Sequence, residues 1–251
     1  MDEQTSESAT AGERRRGLGF RRQPGEHWTR FAGRIGNAFG LVLLLLLSTY
    51  VLASLTEYRG WWSVATTALT CASALVALAS SRARLLVLRI AAVVAIVATV
   101  LAIVSAASGN DAARGISALL QMLLLLVAAG SVLRDVLTQL EVGFRTILGA
   151  ISVYIIVGLL FTFLYVGLDS LQSGPFFASE SGSTAGDFLW FSITTLTTTG
   201  YGTLVPAAQP GKLLSGFEML IGQIYLVTLI AGLVSLWRPG RWIERQRSVQ
   251  R

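Results

Sequence analysis

The sequence predicts an all-α membrane protein of six transmembrane helices, with a re-entrant half-helix and an extended segment between the fifth and the sixth. Three observations carry this reading. The 34 charged side chains, 20 basic and 14 acidic, make up only 14% of the 251 residues, against about 25% in a typical soluble protein. Those charges are clumped, leaving six charge-free windows at 35–56, 61–81, 90–110, 115–133, 146–168 and 219–237 that together hold half of the chain. Between the last two windows lies a helical pattern of about twelve residues, DFLWFSITTLTT, followed by a glycine-bearing segment, TGYGTLVP. A helix of about 20 apolar residues spans the roughly 30 Å hydrocarbon core of a bilayer with its backbone hydrogen bonds satisfied internally, so each window reads as one span. A soluble enzyme is excluded. The single cysteine, Cys71, lies within the second window, which excludes a disulfide scaffold.

Residues 1–34 are polar and read as a cytoplasmic arm, largely disordered. At the end of the arm and the start of the first span, Trp28, Phe31, Ile35 and Phe39 recur at helical spacing with Arg30 and Arg34 between them. Two readings stand: an amphipathic helix on the membrane surface, or a basic flank with snorkelling arginines. The first span is expected to be retained rather than cleaved as a signal peptide. Residues 35–133 form a four-helix transmembrane bundle, run up and down by the short connections YRGW and SGNDAAR. Its second and third spans are rich in alanine, which lets helices approach closely in lipid. Residues 134–146, RDVLTQLEVGFRT, place Val136, Leu137, Leu140 and Phe144 on one face, as an interfacial linker helix would. Residues 147–237 form a pore domain and 238–251 a short cytoplasmic tail.

With six spans, 17 of the 20 basic residues fall on one side, so both termini are expected in the cytoplasm of a multi-pass cell-membrane protein. The net charge of +6 then reflects orientation in the membrane. Neither nucleic acid nor a small-molecule substrate is implied as a partner, and no cofactor is expected.

The half-helix of the last hundred residues begins with Thr184 and Asp187, a Ser/Thr-x-x-Asp/Glu capping signature. Non-helical backbone at membrane depth is tolerated only where it is buried in protein or lines a water-filled path, so the segment that follows reads as part of a pore. A dehydrated cation needs oxygens from every side, and one strand supplies them only if successive carbonyls point the same way. That requires backbone angles alternating in hand, for which Gly200 and Gly202 are suited.

The run TTTGYG at 197–202 resembles the selectivity filter of potassium channels, whose common form is TVGYG. The likeness extends over LWFSITTLTTTGYG, Pro206, the pair Gly211-Lys212 and Gly222, and covers roughly residues 135–240. It implies a pore helix, filter, outer mouth and inner helix, and a homotetramer with one filter per chain conducting K+ passively through the bilayer. It also implies K+ coordination by Thr198, Thr199, Gly200 and Tyr201, with Gly202 closing the filter. Tyr201 would pack against Trp190 and Phe191, and gating would bend the inner helix near Gly222 or Gly232.

Two departures mark the chain: Thr203 stands where Asp is usual after the filter, and Thr194 where some members carry a buried carboxylate. Thr203 and Trp190 are expected to support the filter instead, by a hydrogen bond. Glu218, the carboxylate within the sixth helix, either snorkels to the headgroups or is buried behind the filter. The fourth span lacks the spaced arginines of a voltage sensor, so weak or no intrinsic voltage dependence is expected. Two rivals share these features: a non-selective cation channel of the same architecture, and a membrane scaffold or sensor with a non-conducting pore module.

Overall fold

The computed structural model describes residues 38–55, 60–81, 83–138, 144–178 and 183–232. Residues 1–34, the surface-helix pattern before Phe39 and the tail 238–251 lie outside them. The described residues are helical throughout their regular structure: α1 Ala38–Leu55, α2 Trp61–Ser80, α3 Leu85–Ser108, α4 Asp111–Leu137, α5 Phe144–Leu171, the short α6 Ala185–Leu196 and α7 Gln209–Ile224, which runs on as a π-helix, Tyr225–Ile230. Five of these are long and apolar enough to cross a membrane, and Phe39–Leu55 is a shorter apolar helix. The chain is an all-α membrane protein.

Helices outrun the charge-free windows. α3 begins at Leu85 and includes Arg89; α4 begins at Asp111 and ends at Leu137, past Arg134 and Asp135. Apolar windows mark the hydrocarbon, whereas a helix continues into the interface while its backbone bonds remain satisfied and its long side chains reach water. Asn110 supplies one such boundary, its side-chain oxygen accepting from the Ala113 amide at 3.1 Å. The linker helix expected over 134–146 is not seen as an element of its own. Its described parts are the last turn of α4 and the first residues of α5, and 139–143 lie outside the described residues.

Side-chain placement follows lipid rather than water. α3 buries Ala91, Ala95, Ala98 and Ala102 at spacings of 4, 3 and 4, and exposes Val93, Ile96, Val100 and Ile103. α2 buries Ser63, Thr66, Thr67, Thr70 and Ser73 together with Ala74 and Ala77. In hydrocarbon a large aliphatic gains nothing by hiding, so small residues take the interfaces and hydroxyls join helices. Ser117 of α4 donates to the Ala98 carbonyl of α3 at 2.8 Å, and Gln121 donates to Thr67 of α2 at 3.2 Å.

The first four helices pack consecutively, and α4 then lies along α5 with glycines at the crossing. A Cβ at Gly115 would sit 2.7 Å from Leu171 Cγ, and one at Gly167 2.7 Å from Leu119 Cδ2. One apolar core runs through both halves of the described structure, from Phe39 and Leu46 to Phe188 and Phe191. Gly115→Val is therefore expected to cost about 1–3 kcal/mol by overpacking. Thermal unfolding in detergent should show it, while Gly130→Ala in the same helix, which meets nothing within 4 Å, should be tolerated.

Candidate functional site

α6 is held at its start by a reciprocal cap. The Thr184 hydroxyl oxygen accepts from the Asp187 amide at 3.2 Å, and the Thr184 amide donates to the Asp187 carboxylate at 2.8 Å. Twelve residues on, the helix ends among threonines and the chain doubles back on its last turn. The amides of Thr199 and Gly200 donate to the Thr194 carbonyl at 2.8 and 3.1 Å, and the Thr198 amide donates to the Thr195 carbonyl at 2.9 Å. Carbonyls that a helix end leaves unpaired thus anchor the start of the extended segment.

Beyond this anchor the backbone alternates in hand. Thr198, Gly200 and Gly202 have φ of 56°, 54° and 79°, while Thr199 and Tyr201 between them are not left-handed. Two of the three positions are the glycines singled out from the sequence. Thr198 is the surprise, because a β-branched residue in the left-handed region is a true outlier, costing about 1–3 kcal/mol. Its hold comes from the two-residue connection to Thr195 and from the Thr197–Thr199 hydroxyl pair at 2.9 Å. Thr197 through Thr203 are exposed in the single chain.

Tyr201 lies flat against Trp190 of α6, ring centroids 5.3 Å apart and planes 17° apart. Phe191 does not share that contact. It turns to the other side of α6, where its ring meets Tyr165, Phe176 and Phe177. Thr203 and Trp190 line one cavity of about 210 Å³ with Thr195, Ser215 and Met219, but in the single chain no hydrogen bond joins them. The Thr194 hydroxyl donates back to the Phe191 carbonyl at 3.1 Å, so this residue meets the extended segment through its carbonyl.

Of the two readings of Glu218, the structure selects the buried one. Its side chain is fully buried; Tyr165 of α5 donates to one carboxyl oxygen at 2.6 Å, and Ser192 of α6 lies 2.5 Å from the other. Ser192 is also 2.7 Å from the Gly158 carbonyl of α5. Glu218 therefore joins three helices on the side of α6 away from the extended segment.

α7 meets the rest of the chain along a stripe, burying Gly211, Ser215, Glu218 and Gly222, and leaves Leu213, Phe217, Leu220 and Ile224 exposed. At Gly222 the approach is closest: a Cβ there would lie 2.1 Å from the Leu196 carbonyl oxygen at the end of α6. That same carbonyl accepts from the Tyr154 hydroxyl at 3.3 Å, and Tyr225, opening the π-helix, donates to the Ala150 carbonyl at 2.6 Å.

Residues 170–238 match the family model for ion channels. The match supports an ion channel. No solved structure matches the chain. The matched stretch begins in the last turn of α5 and holds α6, the extended segment, α7 and the π-helix, while the α5 partners Ala150, Tyr154, Gly158 and Tyr165 precede it.

Sequence reasoning missed Tyr165, Ser192, Tyr154 and Tyr225. Each is a hydroxyl in a largely apolar helix, with a partner 26 to 75 residues away, and no local pattern pairs them. The π-helix also had no local signal.

Proposed function

We propose that the chain is a potassium-selective channel, conducting K+ passively across the cell membrane as a homotetramer, with both termini cytoplasmic and without intrinsic voltage gating. The observation that carries this is the alternating hand of residues 198–202, tied at its start to the last carbonyls of α6. A strand whose φ changes sign at every residue turns successive carbonyls to one side, as a ladder of cation-coordinating oxygens requires. Thr198, Thr199, Gly200 and Tyr201 supply that ladder, and Gly202 lets the chain leave it. Trp190 sets its radius through Tyr201, and Thr194 and Glu218 hold its support from behind.

The exposure of Thr197–Thr203 in the single chain supports assembly around an axis, because backbone at membrane depth must face protein or a water-filled path. The exposed faces of α7 supply surface for neighbouring copies. Gating would bend the inner helix between Gly222 and Gly232, the interval that holds the π-helix, a form that often marks functional sites within α-helices.

Liposome flux tests the reading. Wild-type protein is expected to pass potassium well above sodium. Gly200→Ala is expected to abolish the selective flux, since alanine at a φ of 54° is strained by about 1–2 kcal/mol in every copy. Equal fluxes of the two ions would favour a non-selective cation channel, and absence of flux in every condition a scaffold or sensor.

A further inference from the structure

Nothing in the filter explains why four additional helices precede it. The answer we propose, resting on the channel reading, is that Arg114 of α4 is a positioning residue through which the four-helix bundle holds the mouth of the filter. Arg114 stands at the start of α4, its side chain largely buried. Its guanidinium donates to Ser170 Oγ at 2.9 Å and lies 3.7 Å from Asp169 Oδ2, with Asp111 of its own helix 3.5 Å away.

The second carboxyl oxygen of Asp169 accepts from the Phe176 amide at 3.2 Å. Phe176 belongs to a short extended stretch that pairs with the chain just past the filter: Ala207 donates to the Phe176 carbonyl at 2.8 Å, and Ala178 donates to the Val205 carbonyl at 2.9 Å. Phe177 and Pro206 form the antiparallel bridge between these bonds. Val205 is three residues from Gly202, a span of at most about 11 Å of chain. A shift of α4 is thus passed to the last filter residue through one ion pair, one carboxylate and one two-stranded bridge.

The arrangement is selective about its parts. Asp169 uses both oxygens, one for Arg114 and one for the backbone, so losing the arginine leaves a largely buried carboxylate free to rotate off the Phe176 amide. The partial burial of both charges, with side chains 16% and 17% exposed, screens the pair less than a surface pair.

Full-length protein in nanodiscs and liposomes tests the proposal with two readouts. In nanodiscs, Arg114→Gln is expected to speed amide exchange at Ala178 and Ala207 by roughly tenfold, the loss of a hydrogen-bonded charge contact. Arg114→Lys should restore part of the protection. In liposomes Arg114→Gln is expected to lower the ratio of potassium to sodium flux several-fold. Asp169→Asn should act in the same direction, and decides the matter if Arg114→Gln does not fold. Unchanged exchange at both amides overturns the brace, and faster exchange with an unchanged flux ratio overturns its link to the filter. Wild-type protein that passes no ions would sink the channel reading and the role at the filter, while the exchange result would still decide whether Arg114 holds the bridge.

Discussion

Replacing Gly222 by alanine is expected to abolish potassium flux and to lower the thermal unfolding temperature of the detergent-solubilised protein. The added methyl would lie 2.1 Å from the Leu196 carbonyl oxygen and 3.0 Å from its carbonyl carbon, so backbone, not a flexible side-chain tip, must give way. Overpacking a core typically costs about 1–3 kcal/mol, and a backbone collision that separates α7 from α6 falls at or beyond the upper end. α6 ends at this contact and its last carbonyls anchor the extended segment at 198–202, so on the channel reading the displacement would reach the ion path within a few residues. Gly232→Ala provides the contrast, because a Cβ there meets nothing within 4 Å among the described residues. If the two variants behave alike, the close approach at Gly222 is not what the residue is for. A hinge role shared by both glycines would then be the better account.

Glu218→Ala is expected to be as damaging, and Glu218→Gln to be mild. Truncation leaves a cavity among buried side chains and strips the Tyr165 hydroxyl of its acceptor, a combined cost of about 2–5 kcal/mol. Glutamine behaves differently for a reason of hydrogen-bond counting. Ser192 has one proton and two oxygens within reach, Gly158 at 2.7 Å and Glu218 at 2.5 Å. A side chain at 218 that both donates and accepts satisfies every contact, and an amide does so: its oxygen takes the Tyr165 proton and its nitrogen donates to Ser192, which is then free to donate to Gly158. Unfolding temperatures and flux of the two variants, measured in parallel, check the order. Equal damage from alanine and glutamine would show that the site needs the charge of the carboxylate.

How much of this was legible in advance depends on whether the signal was local. The spans could be read because charge is intolerable in hydrocarbon, so each of the windows between 35 and 237 announces itself within its own 19–23 residues. The half-helix could be read from Thr184 and Asp187, which cap it in the structure by both of the bonds the spacing implies. Gly200 and Gly202 stood out because glycine tolerates a positive φ, whereas Thr198, forced into the same region, carries no mark of it. Helix ends were misjudged where charged residues extend a helix into the interface, as at Leu85 and Asp111.

The sequence by itself determined the membrane class, the order of the apolar elements and the place of the extended segment, whereas of the six spans it announced five are long enough to cross among the described residues and the first, Phe39–Leu55, is shorter. All of these rest on solvation and on backbone angles within a few residues. The tertiary structure alone decided which way Glu218 faces, that Phe191 turns from Tyr201 to the far side of α6, that Gly222 admits no side chain, and that Arg114 reaches Asp169 and Ser170 at the end of α5. Each of these is a meeting between residues distant in sequence, and its energy comes from packing and hydrogen bonds that exist only once the helices are in register.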